Sequence, residues 1–144
     1  MEYFDSLPED IEEIYVSNKG ITSLDVTRFK NLKRLICNNN QLTALYLPKT
    51  LQILYCHNNQ LSFLQLPETL QELACSHNQL TSLHLPETLK LLDCHCNQLT
   101  SLHLPKTLQD LFCSHNQLTS LYCNKNLQNL NNFKKFILKK FIII

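Results

Sequence analysis

The chain has 144 residues, with 13 basic against 12 acidic side chains and a formal net charge of +1; it fits one domain and offers no electrostatic footprint for nucleic acid. Its single glycine, Gly20, excludes Walker- and Rossmann-type phosphate cradles, which need several glycines for close backbone approach. No apolar run reaches the roughly 18 residues of a membrane span, the opening MEYFDSLPED is unlike a signal peptide, and the seven cysteines read as reduced thiols of a cytoplasmic protein.

Internal repetition organises everything that follows. In chain order, LPEDIEEIYVSNKGITSLD (7–25) is a diverged first copy, and residues 26–46 are a second copy lengthened by two residues around TRFKN. Four copies of 19 residues come next: LPKTLQILYCHNNQLSFLQ (47–65), LPETLQELACSHNQLTSLH (66–84), LPETLKLLDCHCNQLTSLH (85–103) and LPKTLQDLFCSHNQLTSLY (104–122). Residues 123–144 open with a decaying copy, CNKNLQNLNNF, and end in KKFILKKFIII. We read residues 1–144 as one repeat domain, with 123–144 as a degenerate repeat and C-terminal cap.

Counted from the leucine after the connector, the unit is L-x-x-L-x-C-x-x-N-x-L-x-x-L-x-L-P-x-T. In L-x-x-L-x-C the fourth and sixth places alternate with other residues, which sets them on the same face of a short strand. One coil cannot bury that face alone; coils stacked at about 4.8 Å per strand can. The connector L-P-x-T is too short for a helix, and its proline favours a turn.

The unit closely resembles the leucine-rich repeat, L-x-x-L-x-L-x-x-N-x-L, with cysteine in the sixth place. Its short length and L-P connector are most similar to bacterial-type repeats of the invasion-plasmid-antigen kind. The C-x-x-N-Q-L-T-x-L variant also resembles repeat proteins of giant DNA viruses of amoebae. The resemblance implies an α/β fold by convention, β-dominated in fact: a right-handed solenoid of about six coils with a parallel concave sheet and a helix-poor convex side. It also implies that Asn40, Asn59, Asn78, Asn97 and Asn116, in the ninth place, form a buried ladder satisfying backbone groups.

Cys37, Cys56, Cys75, Cys94 and Cys113 occupy the inward sixth place and read as an inert structural column, not a disulfide ladder. The pairs Cys56–His57 and Cys94–His95 mimic a nucleophile and base, but neighbouring strand residues face opposite ways, which rejects the dyad. His77, Cys96 and His115 share the eighth place on three consecutive coils and could lean on one zinc, with His57 and His95 nearby. The repeat places no carboxylate beside them, and we expect no catalysis, cofactor or resident metal. His84 and His103 read as solvated edge residues.

The concave face is where the resemblance implies partner binding. Its third and fifth places offer Arg34, Ile36, Ile53, Tyr55, Glu72, Leu91, Asp93, Asp110 and Phe112, an apolar group flanked by charge. The expected function is therefore a monomeric protein-interaction module, active in the cytoplasm, with the cytoplasm of a host cell as one option. The alternatives are a structural or degenerate repeat array without a partner, and a weak metal- or redox-responsive surface at His77, Cys96 and His115. In the tail, the lysines spread round a helical wheel and disfavour a membrane anchor. Phe133, Phe136, Ile137 and Phe141 are expected to cap the last coil.

Overall fold

The computed structural model describes residues 6–123 and 141–143, with backbone alone for Cys123 and for 141–143. Eleven short parallel strands run through it: β1 (Glu13–Tyr15), β2 (Ser23–Asp25), β3 (Arg34–Ile36), β4 (Ala44–Tyr46), β5 (Ile53–Tyr55), β6 (Glu72–Ala74), β7 (Leu91–Asp93), β8 (Ser101–His103), β9 (Asp110–Phe112), β10 (Ser120–Cys123) and β11 (Phe141–Ile143). Strands β1, β3, β5, β6, β7 and β9 form one six-stranded parallel sheet, one strand from each coil. The fold is a β-dominated solenoid of about six turns. No helix occurs among the described residues.

The repeat register accounts for this sheet. Glu13, Arg34, Ile53, Glu72, Leu91 and Asp110 pair in sequence from strand to strand, and Tyr15, Ile36, Tyr55, Ala74, Asp93 and Phe112 do the same. Between these two columns, Ile14, Leu35, Leu54, Leu73, Leu92 and Leu111 are buried. Every sheet strand therefore alternates out, in, out, as the period of two requires. The β1–β3 pairing spans two residues more than the others, and Phe29 and Leu32 of the longer copy are both fully buried. The insertion adds core instead of disturbing it.

The inward leucines and the five sixth-place cysteines join one continuous core. Each coil also passes through a second extended segment, which the sequence did not announce. It becomes a strand in β2 and β4, paired together, and in β8, β10 and β11, paired in a second small sheet. In those segments a central leucine, such as Leu45 or Leu102, is buried between exposed or half-buried neighbours. The capping role expected of Phe133, Phe136 and Ile137 lies outside the described residues. The backbone of β11 does add to β10, pairing Phe141 with Leu121.

Two side-chain ladders add to inter-coil backbone hydrogen bonds that run on past the short strands, as from the Cys56 amide to the Ala74 carbonyl at 2.8 Å and from the Asn58 amide to the Ser76 carbonyl at 2.9 Å. The first is the asparagine column. Asn78 Nδ2 donates to the carbonyl of Cys75 in its own coil at 3.0 Å and to that of Cys56 in the coil before at 3.1 Å. Its Oδ1 accepts from the Leu61 amide of the preceding coil at 2.9 Å. Asn59, Asn97 and Asn116 repeat the pattern, and Asn40 reaches Val16, Cys37 and the Lys19 amide. The carbonyls of Cys37, Cys56, Cys75 and Cys94 each receive an asparagine from their own coil and another from the next.

The second ladder uses the threonine of the L-P-x-T connector. Thr88 Oγ1 lies 2.7 Å from both the Glu68 and Leu70 carbonyls of the preceding coil, and Thr69 and Thr107 make equivalent contacts. The connector itself closes as a turn, with the Leu89 amide donating to the Pro86 carbonyl at 3.1 Å. Proline suits the first turn position because its carbonyl is used and its missing N–H is not needed.

Replacing Asn78 by alanine would orphan the Leu61 amide and remove one of two donors from the Cys56 and Cys75 carbonyls. We expect Asn78→Ala to cost about 3 kcal/mol in urea unfolding, whereas exposed Gln79→Ala should stay within about 0.5 kcal/mol. Equal losses for the two variants would mean that water satisfies the turn.

Candidate functional site

The outward columns of the six-stranded sheet hold all nine residues singled out for partner contact. At one end, the Tyr15 hydroxyl donates to Glu13, and that hydrogen bond, with some burial, raises the Tyr15 pKa. Tyr55 donates to Glu72 Oε2 at 2.9 Å; burial first, then this carboxylate, raises its pKa too. Arg34 interacts with both tyrosines, yet its Nε is buried with no hydrogen-bond partner. Ile36, Ile53 and Leu91 are half-buried, whereas Phe112 is 53% exposed and Tyr15 57% exposed. The face therefore combines pinned tyrosines, aliphatic surface and one open phenyl ring.

Beyond the strands, each coil bends through the eighth place. Asn18, Asn39, Asn58, His77, Cys96 and His115 all adopt left-handed backbone, with φ between 53° and 58°. Asparagine tolerates that conformation; for other side-chain-bearing residues it costs roughly 1–2 kcal/mol. The first three coils use asparagine, and Asn58 Nδ2 donates to Asn39 Oδ1 at 2.8 Å. The last three coils accept the strain with histidine, cysteine and histidine.

Around that bend the grouping differs from the His77, Cys96 and His115 set weighed as an alternative. The side chains that converge are His77, His95 and Cys96, with one ligand atom from each within 4.8 Å of the others. His115, the eighth place of the next coil, is not in this group. The rings of His77 and His95 meet edge to face, 4.9 Å between centroids. The expectation that no carboxylate stands near is corrected: Asp93 Oδ1 lies 2.5 Å from His95 Nδ1. Burial lowers the pKa of His57; Asp93 opposes that shift, and His77 and His95 add to it, so His57 belongs to the same neighbourhood.

The sixth-place cysteines are free thiols in the core. Burial pushes Cys37 up to about 12 and Cys113 up to about 11. Cys56, Cys75 and Cys94 are raised well above the usual thiol range by burial, and neighbouring thiols in the column raise them further. Thiolate is the reactive form, so this column is inert. Cys96, half-buried, is the exception among the described cysteines. Cys94 is inside while His95 turns out to Asp93, so the apparent nucleophile and base do not form a pair.

The opposite side of the coils carries features the sequence did not flag. Tyr46 is 56% exposed and Phe63 69% exposed. His103, expected on a solvated edge, is an exposed residue of β8 whose ring stacks on Tyr122 at 4.2 Å. A cleft of about 240 Å³ beside Tyr46, Leu47 and Pro67 falls below the usual ligand-site range, which starts at about 300 Å³.

No protein-family model and no curated protein sequence matches the chain. Among solved structures, YopM from Yersinia enterocolitica WA-314 matches with 30% identity and a TM-score of 0.63 over 80% of this chain. Stacked parallel coils, the asparagine ladder and this likeness agree. The chain folds as a leucine-rich-repeat-like solenoid. The solenoid spans 31% of the length of the YopM structure. No helix among its described residues is long and apolar enough to cross a membrane.

The thiol assignments are testable by native-state labelling. In a Cys123→Ser background, one thiol, Cys96, should react rapidly with a thiol reagent, and the five core thiols should react only on unfolding. Cys96→Ser should abolish the fast phase; a fast phase that survives would place an open thiol in the core column.

Proposed function

We propose that this solenoid is a protein-interaction module that binds a partner protein through the outward face of its six-stranded sheet, without catalysis of its own. The observation that carries this reading is the register: two columns of six side chains held at fixed spacing by a rigid scaffold. Preorganisation lowers the ordering cost of binding. Within those columns Tyr55 and Phe112 are the aromatic anchors, a residue class enriched where binding energy concentrates. Arg34, Glu72, Asp93 and Asp110 supply charged surroundings that select the partner.

The likeness to YopM from Yersinia enterocolitica is in keeping with a bacterial-type reading of the repeats, and we place the site of action in the cytoplasm. The chain acts as a monomer, and its near-balanced charge argues for a protein partner over nucleic acid. A reading as a mere repeat array accounts less well for aromatic and aliphatic side chains gathered on the sheet face.

Substituting Tyr55 and Phe112 together by serine should abolish partner capture while leaving the circular dichroism spectrum and unfolding midpoint near those of the parent. Serine at Tyr46 and Phe63, on the other side of the coils, should leave capture intact. Capture that survives the first pair and fails with the second would move the binding face.

A further inference from the structure

We propose that His77, His95 and Cys96 form a binding site for a borderline-soft divalent transition cation, with Zn²⁺ the fitting ion. One ligand atom from each residue already lies within 4.8 Å of the others. Tetrahedral zinc, with nitrogen at about 2.1 Å and sulfur at about 2.3 Å, holds such atoms about 3.6 Å apart. Closure therefore needs only small side-chain rotations about a cation. His77 is exposed and the other two are half-buried, so the side chains are free to make them.

The chemistry of the donor set selects the metal. Two imidazoles and a thiol suit zinc and its neighbours and disfavour calcium and magnesium, which take oxygen ligands. On binding, the Cys96 thiol gives its proton to solvent and its sulfur lone pair to the cation; nothing is oxidised or reduced. Three protein ligands leave a fourth position open to solvent.

Two further observations point the same way. Asp93 Oδ1 meets His95 Nδ1 at 2.5 Å, which sets the proton on Nδ1 and leaves Nε2 as the binding atom, the usual support for a metal-bound histidine. The left-handed eighth place holds asparagine in the first three coils, the residue best suited to it, and exchanges asparagine for His77 and Cys96 in coils four and five. Two of the three ligating side chains thus occur where the backbone alone would favour asparagine. His77 lies on the fourth coil and His95 with Cys96 on the fifth, so a bound cation staples neighbouring coils.

The test titrates reduced, metal-stripped, untagged full-length protein with CoCl₂ and then with ZnCl₂. One equivalent of Co²⁺ should produce a thiolate-to-cobalt charge-transfer band, which Zn²⁺ abolishes by displacement, and zinc should raise the unfolding temperature. His77→Asn and Cys96→Asn restore the residue this column carries elsewhere and keep the fold; each should weaken binding by about 10-fold or more, and Asp93→Asn by about 10-fold. His115→Asn should leave affinity unchanged. Absence of stoichiometric uptake, a charge-transfer band that survives Cys96→Asn, or equal losses for His115→Asn and His77→Asn would overturn the proposal.

Discussion

The asparagine amide is the interaction on which the solenoid depends. Backbone hydrogen bonds between coils run on past the three-residue strands, and no helix among the described residues packs behind them to complete each coil. Leaving the strand, the chain must turn inside a buried environment, where an unpaired amide or carbonyl is costly. Asparagine has two N–H donors and one acceptor on a short stem. Each ladder asparagine spends them across two coils, on sixth-place carbonyls (cysteine, or Val16 in the first coil) and a leucine or early-turn amide. Glutamine would carry the same groups too far from the turn, and aspartate would offer no donor to a carbonyl. The ladder joins neighbours in the same direction as the sheet, so coil stacking and turn satisfaction are one requirement.

That requirement also explains the sixth place. Its carbonyl is the shared acceptor of successive asparagines, so its side chain sits where coils approach closely and the interior is already occupied by leucine. Cysteine meets this with a small apolar side chain that buries without a strong hydrogen-bonding demand. Burial then removes its reactivity, since the thiolate is disfavoured at every core position. An unusually cysteine-rich chain is in this way chemically quiet inside, and its reactive chemistry is displaced to the bend after the strand. The threonine ladder at the connector does for the opposite turn what asparagine does here, with a single hydroxyl.

Residue counting at a period of 19 revealed the stacked coils, the sheet strands and their outward columns, because each inward place recurs with the same residue type. The second strands left a weaker mark: a lone central leucine with mixed neighbours, as in Ser101–His103, resembles ordinary turn sequence. The left-handed eighth place was legible in Asn18, Asn39 and Asn58, which share it and favour that conformation, but their signal was hidden beneath the neighbouring asparagine of the ladder. Column counting also ranked His77, Cys96 and His115 together because it treats every coil as straight. The bend after the strand brings residues 95 and 96 to one side, which no period conveys. Asp93 and His95, two apart on extended chain, share a face by elementary strand geometry.

Asp93 therefore belongs to two surfaces at once. As a fifth-place residue it lies in register between Ala74 and Phe112 on the sheet face; as the partner of His95 Nδ1 it borders the histidine–cysteine cluster. A carboxylate committed to an imidazole presents less free negative charge to a docking protein, and more so when that imidazole carries positive charge or a cation. Phe112, the open phenyl ring of the face, stands on the adjoining strand. The charge state of the cluster is thus felt at the edge of the apolar patch, through one side chain and without movement of the scaffold.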